Sequence, residues 1–567
     1  MLYSDLVKVY EDLEKTTKRL EKTEIISKFL EKVPSDCLKE VIYLLQGDVF
    51  PHWDERKLGF SSRLMLKAIS LSSGVNFKEV EKLWTKAGDL GIVAENLIKN
   101  KKQRTLVSKG LTIEKIIGNL RKISTFEGQG TVDKKISLVV ELINCAEPTE
   151  ARFIVRTVLG VLRVGVASGI LRDSIAKTFN KEIKDVEEAY NNFIDYGEVA
   201  LSAKNDKLKS IGLIVGRPCK AMLAIRVNSI LEAFKAVGKP ALFDFKLDGF
   251  RAMIHYTGKN FFIFTRRQEN VTNQFKELIL ILKENVKGKN YILDTELVGY
   301  DIKSGRYLPF QNISQRIKRK YNIEEMARKF PVEINVFDIL YYNDKDLREK
   351  KQTERRKLIE KIVKEKEKRI VVVEKLVSDN EDEVEKFYER SLRNGFEGIV
   401  CKNLESNYKA GRYVNGWVKL KGVMENLDLV ITGGLWGEGK RAKWLSSFIL
   451  SCKSGNKFLE IGKVGTGIKE KNLFRKNVHE KKPLEGVTFK ELTKLLKPLI
   501  VKEEGKKVFI KPKVIVEVGY EEIQKSPTYS SGYALRFPKI KFLRLDKPLN
   551  EVSSLKEVEI LYKGQRR

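Results

Sequence analysis

A lysine between two apolar stretches is the residue of this sequence best suited to covalent chemistry. Lys246 follows the apolar and aromatic run 241–245, and Asp248, Gly249 and Arg251 come shortly after it. The residues on either side predict two strands joined by a tight polar connection, with Gly249 allowing the bend. A lysine at the end of a buried strand, close to another cation, loses its proton more readily and becomes a nucleophile.

The alternative for Lys246 is a solvated amine at the mouth of a hairpin. A Lys-x-Asp-Gly tetrapeptide arises by chance about 0.2 times in a chain of this length, so the motif needs support from other residues. Charged and aromatic side chains recur within or at the ends of other apolar segments: Arg266, Glu296, Phe337, Glu397, Lys419 and Lys421. Each alone is more simply a surface residue, but together they predict a nucleotide site.

The last two of these residues carry a further prediction. Lys419 and Lys421 alternate with Val418 and Leu420, so both lysines lie on one face of a strand. If that face is inward, two buried ammonium groups require an anion, and a phosphate supplies it. Phe337 offers an aromatic ring that could stack on a base of the nucleotide.

The pattern of apolar residues divides the chain into three predicted domains. Residues 1–215 place apolar residues at steps of three and four, which predicts an all-helical domain. Residues 216–421 alternate short strands with helices, and residues 422–567 carry short strands between glycine turns, typical of a small OB-fold barrel. The predicted fold class is therefore multidomain α+β. Strands of the middle domain are predicted at 241–246, 261–266, 291–300, 332–342, 370–376, 398–401 and 417–420.

Three arginines of the helical domain form a candidate surface for phosphates. If residues 151–166 are one helix, Arg152, Arg156 and Arg163 fall within roughly 40° of one another on its surface. Such a cationic face suits the backbone of a nucleic acid. The alternative is a solvated face with intrahelical ion pairs.

The overall composition favours a polyanionic partner. The formal charge is +32 and the isoelectric point is about 9.6, and nucleic acid is the commonest partner of such a protein. Five scattered cysteines without a Cys-x-x-Cys pair disfavour a structural zinc site or a disulfide framework. No apolar run approaches the ~18 residues of a membrane span, and the start lacks a signal peptide. The sequence predicts an intracellular protein with no membrane partner.

Taken in order, these motifs resemble those of the ATP-dependent DNA ligases, a family of the covalent nucleotidyltransferase superfamily, and most closely the archaeal replicative type. The resemblance extends over the whole chain, because residues 520–529 and 533–539 are similar to the family's last motif and its approach. It implies an enzyme that seals 5′-phosphate/3′-hydroxyl nicks in duplex DNA, in replication, repair and recombination. It also implies ATP, with Mg²⁺ or Mn²⁺, as cofactors, nicked duplex DNA as partner, and a cytoplasmic monomer.

The resemblance also implies a role for each matching residue. Lys246 would attack the α-phosphate of ATP, expel pyrophosphate and carry AMP. The other implied roles are adenine contact for Asp244 and Phe337, phosphate or ribose contact for Arg251, Arg266 and Glu296, α-phosphate contact for Lys419 and Lys421, and metal binding for Glu296 and Glu397. Arg536 and Lys539 would orient pyrophosphate, Arg412 is a nucleotide-binding candidate, and Arg152, Arg156, Arg163 and Arg266 would contact DNA.

The sequence departs from the family pattern at three places. Asp244 stands where the family commonly has Glu, and its shorter side chain must reach the adenine. Tyr413 stands where an arginine is usual, with Arg412 one position earlier, which leaves the role of Arg412 open. Residues 102–107 occupy the place of a sliding-clamp-binding peptide and keep Gln103, but they lack its paired aromatic residues.

Three other functions share part of this pattern. An mRNA-capping guanylyltransferase or an RNA ligase also uses Lys-x-Asp-Gly, but the long helical domain disfavours both. An NAD-dependent ligase shares the lysine chemistry, but its cysteine cluster is missing here. A non-catalytic nucleic-acid-binding scaffold would not need a lysine in each motif. The sequence does not decide whether ADP or GTP replaces ATP.

Overall fold

The structure is a computed structural model of the chain. It describes residues 1–101, 110–126, 128, 130–317, 319, 321–413, 415–422, 425–437, 441, 444–470 and 484–565. The chain forms two compact units, one of Met1–Phe387 with Ile399–Leu420 and the other of Tyr388–Gly398 with Lys421–Arg567. The predicted division into three domains at residues 215 and 421 stays a prediction.

The N-terminal region is helical, as predicted. Its apolar side chains pack into one cluster that extends from Tyr3 to Leu208. The pattern at residues 6–30, which is periodic throughout, belongs to two helices rather than one. The helices are α1 (Tyr3–Lys15), α2 (Arg19–Leu30), α3 (Leu38–Gln46), α4 (Ser62–Ser73), α5 (Phe77–Ala87), α6 (Leu90–Lys99), α7 (Ile113–Ile123), α8 (Val132–Cys145), α9 (Pro148–Val158), α10 (Ser168–Thr178), α11 (Ile183–Phe193) and α12 (Tyr196–Lys204).

The predicted helix at residues 151–166 is wrong in its extent. Helix α9 begins with a capping box in which the Glu150 carboxylate accepts from the Glu147 backbone N–H at 2.9 Å, and it ends at Val158. Gly160, with φ +67°, stops it, because a left-handed residue cannot continue a right-handed helix. Arg163 lies in the following loop at φ +63°, so the three arginines do not share one helix face.

The central region combines two main sheets with helices. Its strands are β1 (Met222–Leu223), β2 (Ile225–Val227), β3 (Ala241–Lys246), β4 (Phe250–Tyr256), β5 (Phe261–Thr265), β6 (Tyr291–Gly299), β7 (Val332–Tyr342), β8 (Lys345–Asp346), β9 (Ile370–Val372), β10 (Lys375–Ser378), β11 (Gly398–Asn403), β12 (Gly411–Arg412) and β13 (Trp417–Lys421). Its helices are α13 (Ile230–Val237), α14 (Glu277–Asn285), α15 (Phe310–Ile317), α16 (Ile323–Lys329), α17 (Gln352–Ile362) and α18 (Glu381–Arg393). One sheet has the order β10-β3-β11-β13-β2, and the other has β5-β4-β6-β7-β8 with β9 also on β7.

The strands on either side of Lys246 belong to different sheets. The predicted strand 241–246 is confirmed as β3, but β3 and β4 do not pair as a hairpin. Gly249 is needed here for space, since a Cβ atom at this position would lie 2.4 Å from the Leu297 carbonyl oxygen. The predicted strand 370–376 is likewise two strands, β9 and β10, in different sheets. The chain therefore passes between the sheets twice, and Lys246 lies at one of these crossings.

The C-terminal region is rich in strands. Its largest sheet has the order β16-β15-β14-β20-β23-β17, with β19 also paired to β14 and β18 to β19, and β21 pairs with β22. The strands are β14 (Leu427–Trp436), β15 (Leu445–Ser454), β16 (Lys457–Val464), β17 (Leu484–Glu485), β18 (Ile500–Glu504), β19 (Lys507–Ile510), β20 (Ile515–Gly519), β21 (Glu522–Lys525), β22 (Tyr533–Arg536) and β23 (Lys539–Leu543), and the helices are α19 (Phe489–Leu496) and α20 (Leu555–Gly564). The mixed α+β class is confirmed, and closure into an OB-fold barrel stays a prediction.

Two simple features complete the fold. All five cysteines are present as free thiols. Within the ranges that the structure describes, no helix has both the length and the apolar character that crossing a membrane requires.

Candidate nucleotide site

Lys246 is the last residue of β3, a strand whose other five residues are buried. The strand lies between β10 and β11 in its sheet. Hydrogen bonds from these neighbours fix the backbone of β3, and the Lys246 side chain is half-buried. The prediction of a lysine at the end of a buried strand is confirmed.

Arg251, on β4, is held by several hydrogen bonds from its guanidinium. Its Nε donates to Asp294 Oδ1 at 2.8 Å, and its Nη2 donates to Asp294 Oδ2 at 2.5 Å. Its Nη1 donates to the Met222 carbonyl oxygen at 2.5 Å. Burial alone would lower the pKa of Arg251, but the charge of Asp294 outweighs it and leaves that pKa raised. The guanidinium therefore stays charged and in one orientation.

The two sides of this site come together through strand register. Arg251 on β4 lies opposite Glu296 on β6, and Glu296 lies opposite Asn335 on β7. Glu296 is half-buried, whereas Arg266 is exposed immediately after the end of β5. Since β5 pairs with β4, Arg251 and Glu296 lie in one sheet, and Arg266 directly follows a strand of the same sheet.

Two aromatic rings of the site lie close to two cations. The rings of Phe337 and Trp417 are 6.0 Å apart at 74°. The Arg251 guanidinium carbon is 5.3 Å from the Phe337 centroid and 5.5 Å from that of Trp417. The Lys402 ammonium is 5.1 Å and 4.5 Å from the same two centroids. Cations near ring faces are attracted by the negative charge of the π system, so both cations help to fix these rings.

Asp244 is held inside the protein by two cations. Its Oδ1 accepts from Arg356 Nη1 at 3.0 Å, and its Oδ2 lies 2.5 Å from Lys402 Nζ. The Asp244 residue is only 2 % exposed. This carboxylate thus anchors Lys402 against the aromatic pair, and its predicted contact with adenine stays a prediction.

The strand that carries the paired lysines forms as predicted. In β13, Val418 and Leu420 are buried while Lys419 and Lys421 are half-buried, which is the expected alternation. Lys421, in the second unit, lies 2.9 Å from the Glu397 carboxylate of that unit.

Arg536 ends β22 of the second unit. Its Nη1 donates to Glu522 Oε2 at 3.1 Å across the β21–β22 pair. Lys539 begins β23 and is exposed. The predicted roles of both residues stay predictions.

The three arginines of the helical region that are predicted to contact DNA are all ion-paired. Arg152 contacts Glu11, Glu14 and Glu95, Arg156 contacts Glu14 and Asp89, and Arg163 contacts Asp89. Although burial alone would raise it, hydrogen bonds from Arg156 hold the pKa of Asp89 below its usual value. Arg163 is the exposed member of the three, with 55 % of its side chain accessible. The alternative of a solvated face with intrahelical ion pairs is wrong for Arg152 and Arg156, because both are largely buried and their partners come from other segments. The predicted contact of the three arginines with DNA stays a prediction.

Two predictions lie outside the described part of the chain. Residues 102–107, including Gln103, are not described, and neither is the side chain of Arg412. Among the described residues, no group of three or more His, Cys, Asp or Glu side chains is gathered so as to hold a metal ion.

Sequence reasoning missed four residues of this site: Asp294, Lys402, Tyr408 and Trp417. Asp294 interrupts the apolar strand 291–300, and that break in the pattern was a usable signal. Trp417 begins a predicted strand and Lys402 directly follows another, which extends through Lys402 in the structure. Tyr408 lies in a connecting segment, and only the folded chain reveals its contacts.

The comparisons with known proteins agree with this architecture. The family model "ATP dependent DNA ligase domain" matches residues 221–421, the model "DNA ligase N terminus" matches residues 2–176, and the model "ATP dependent DNA ligase C terminal region" matches residues 441–547. The first of these covers Lys246 and the residues around it. The fold and site thus define an enzyme of the ATP-dependent ligase class.

Curated relatives are similar over their whole length. The chain is 44 % identical to a DNA ligase of Nanoarchaeum equitans, over 100 % of this chain and 99 % of the relative. It is 40 % identical to a DNA ligase of Archaeoglobus fulgidus over the same shares. The solved protein Pmar-Lig_PreS3 shares the fold, with a TM-score of 0.55 and 16 % identity over 95 % of this chain and 99 % of that one. The chain belongs to the ATP-dependent DNA ligase family, whose function is the sealing of nicks in DNA.

Proposed function

We propose that this enzyme joins a 5′-phosphate to a 3′-hydroxyl at a nick in duplex DNA, and that Lys246 carries AMP between ATP and the DNA. The observation that carries this proposal is the position of Lys246. It ends a buried strand where the chain crosses between two sheets, five residues before an arginine fixed by Asp294. The amine is thus held on a rigid element, as covalent catalysis requires.

The reaction divides into three transfers. The Lys246 amine attacks the α-phosphorus of ATP, an N–P bond forms, and pyrophosphate leaves with the electron pair of the broken P–O bond. The DNA 5′-phosphate then displaces the lysine and takes the AMP. The 3′-hydroxyl finally attacks the activated 5′-phosphorus, the new phosphodiester forms, and AMP leaves. Each transfer is accelerated mainly by positioning and by neutralisation of charge.

The first unit supplies most of the proposed nucleotide contacts. Arg251 and Lys419 would neutralise phosphate charge, Glu296 would accept from a ribose hydroxyl, and Phe337 would stack on the adenine. Phe337 suits that role because contacts with Arg251 and Lys402 help to fix the orientation of its ring. Arg266 is exposed, which suits a contact with the 5′-phosphate of the nick.

In the second unit, Lys421 and Arg536 stay predicted contacts to phosphate and pyrophosphate. Glu296 of the first unit and Glu397 of the second each stay a predicted ligand of Mg²⁺ or Mn²⁺. Carboxylates with part of their surface exposed fit such hard cations, which prefer oxygen donors. The bound metal would neutralise phosphate charge.

The proposed DNA surface is electrostatic. The charge of +32 supports binding to the backbone of nicked duplex DNA, which suits an enzyme that acts in any sequence. Arg163 is the proposed contact of the helical region. Contacts from Arg152 and Arg156 stay predictions, because their ion pairs would have to open. A monomer in the cytoplasm, roles in replication, repair and recombination, and clamp binding through residues 102–107 are further parts of this proposal.

A labelling experiment with a sealing assay tests the proposal. Wild-type enzyme, Lys246→Ala and Lys259→Ala, an exposed lysine of the β4–β5 turn, are incubated with α-labelled ATP or GTP and then with a nicked duplex. We expect wild type and Lys259→Ala to retain label from ATP and to seal the nick, and Lys246→Ala to do neither. Label retained only from GTP, or sealing by Lys246→Ala, would overturn the proposal.

A further inference from the structure

The Tyr408 hydroxyl joins three separate segments beneath the nucleotide site. It donates to Asp294 Oδ2 at 2.6 Å and accepts from the Met222 N–H at 3.0 Å. It also accepts from Arg251 Nη2 at 3.2 Å. Tyr408 is only 3 % exposed, so water does not replace these partners.

These contacts form a closed ring of hydrogen bonds that includes the Arg251 guanidinium. The Met222 carbonyl oxygen accepts a hydrogen bond from Arg251 Nη1, and the Met222 N–H donates one to the Tyr408 hydroxyl. Met222 is itself fixed, because β1 pairs with β12 and places Met222 opposite Gly411. The Tyr408 hydroxyl is thus the one atom of the ring that contacts Arg251, Asp294 and Met222 together.

This ring of hydrogen bonds determines which N–H groups of Arg251 can donate to a ligand. A guanidinium has five N–H donors in a rigid plane, and four hydrogen bonds from Arg251 go to Asp294, Met222 and Tyr408. Within the described residues, one Nη1 N–H is left for a ligand. Its direction is set by the other four.

We infer that Tyr408 is a positioning residue for the adenylation of Lys246, and that it acts through Arg251. This inference rests on the proposed function, in which Arg251 neutralises phosphate charge. Burial, and after it the charge of Asp294, holds the pKa of Tyr408 well above its usual value of 10. The hydroxyl therefore keeps the proton that it donates to Asp294. Without the Tyr408 hydroxyl, the Arg251 guanidinium keeps its charge but loses one of the contacts that orient the guanidinium.

A purely structural role for Tyr408 predicts a different result. Deleting a buried hydroxyl leaves the Met222 N–H without its acceptor, and this destabilises the fold whatever the hydroxyl does for catalysis. A matched control is therefore needed. Tyr307 donates to Glu333 Oε1 at 2.7 Å, and Glu333 is fully buried in β7. Tyr307→Phe thus removes a similar tyrosine–carboxylate hydrogen bond from the same region.

The test measures the single-turnover rate of AMP transfer to Lys246 across ATP concentrations, together with the melting temperature. We expect Tyr408→Phe to lower the maximal rate roughly 10–100-fold, as loss of a supporting hydrogen bond does at metal sites. Tyr307→Phe should stay within about twofold of wild type, although both variants melt at lower temperature than wild type. A folded Tyr408→Phe enzyme with a wild-type rate would overturn the inference.

A double-mutant cycle tests whether Tyr408 acts through Arg251. If it does, the double variant Arg251→Lys/Tyr408→Phe transfers AMP no more slowly than Arg251→Lys alone, because the effects of substitutions at coupled residues are not additive. If the rate losses of the two single variants multiply in the double variant, Tyr408 does not act through Arg251. If Tyr408→Phe does not fold, Asp294→Asn takes its place with Glu333→Gln as control, and an unimpaired Asp294→Asn enzyme overturns the inference. Wild-type enzyme that acquires no AMP would count against the proposed function instead.

Discussion

Two buried arginines, Arg156 in the helical region and Arg251 in the central region, are held in different ways. Arg156 lies between two carboxylates, with Asp89 at 2.9 Å and Glu14 at 2.5 Å. Arg251 has one carboxylate, Asp294, and its other acceptors are the Met222 carbonyl oxygen and the Tyr408 hydroxyl. Two aromatic rings also face Arg251.

The difference lies in the chemical type of the acceptors. Arg152, Arg156 and Arg163 face four carboxylates, those of Glu11, Glu14, Asp89 and Glu95. In that cluster the carboxylates neutralise Arg152 and Arg156, whose side chains are largely buried, whereas Arg163 exposes most of its side chain. Arg251 instead pairs with one carboxylate, Asp294, and directs its other hydrogen bonds to the neutral oxygens of Met222 and Tyr408. An arginine thus ties helices together in one region, and in the other region an arginine is the proposed nucleotide contact.

The largest expected effect is that of replacing Arg251, and it distinguishes the proposed nucleotide contact of Arg251 from the structural role of Arg156. Arg251→Lys should slow AMP transfer to Lys246 at least roughly 100-fold, because one ammonium cannot donate to Asp294, Met222 and Tyr408 in a fixed plane. Arg156→Lys should transfer AMP within about twofold of wild type, but lose about 1–3 kcal/mol of unfolding free energy. Labelling kinetics and urea unfolding of both variants check this. Equal loss of AMP transfer in the two variants would remove the distinction.

Acid should affect the two regions in different pH ranges. His255 in β4 is fully buried, its Nδ1 accepts from the Gly216 N–H at 3.2 Å, and burial lowers its pKa to about 3. Because the unfolded chain takes up the proton near pH 6.5 and the folded chain does not, stability is lost as the pH falls below 6.5. Between pH 6.5 and 5 this amounts to about 2 kcal/mol. Asp89 has a lowered pKa, so its contribution is lost only in more acid solution, below the unfolded value near 4.

Urea unfolding of wild type and His255→Gln at pH 6.5 and 5 measures the first of these effects. Gln keeps an acceptor for the Gly216 N–H but does not titrate. We expect the variant to lose about 2 kcal/mol less than wild type over this interval. The same loss in both proteins would show that His255 does not cause it.

The smallest effect concerns DNA affinity in the helical region. Arg163→Ala should weaken binding to a nicked duplex several-fold and reduce the slope of log affinity against log salt by about 1. Lys177→Ala is the matched control, because Lys177 is also an ion-paired cation of this region, with 54 % of its side chain exposed. Fluorescence anisotropy over a series of salt concentrations gives both slopes. Identical slopes for the two variants would exclude Arg163 as a phosphate contact.

The sequence predicted the central region better than the helical arginines, for a physical reason. The alternation in β13 and the continuous apolar run of β3 each extend over only a few residues, and both strands form as predicted. The helix at 151–166 required sixteen residues of unbroken periodicity, and Gly160 ends it early. The acidic partners of Arg152 and Arg156 come from distant segments, so no local pattern indicates them.

The same limit explains the residues that were missed around Lys246. Strand pairing places Arg251 opposite Glu296, but pairing partners are not encoded in either strand alone. Tyr408 reaches Arg251 across 157 positions of sequence. The apolar flanks of Gly249 predicted a hairpin, whereas the chain continues into a second sheet. Local composition therefore identified the strands, and the fold alone determined which side chains meet.

Mass spectrometry of the peptide that carries Lys246 tests the central claim most directly. The purified enzyme is incubated with ATP and Mg²⁺, digested, and compared with the same enzyme after addition of a nicked duplex. We expect this peptide alone to gain the mass of AMP and to lose it when the nick is sealed. Sealing without that gain, or AMP on a different lysine, would contradict the account.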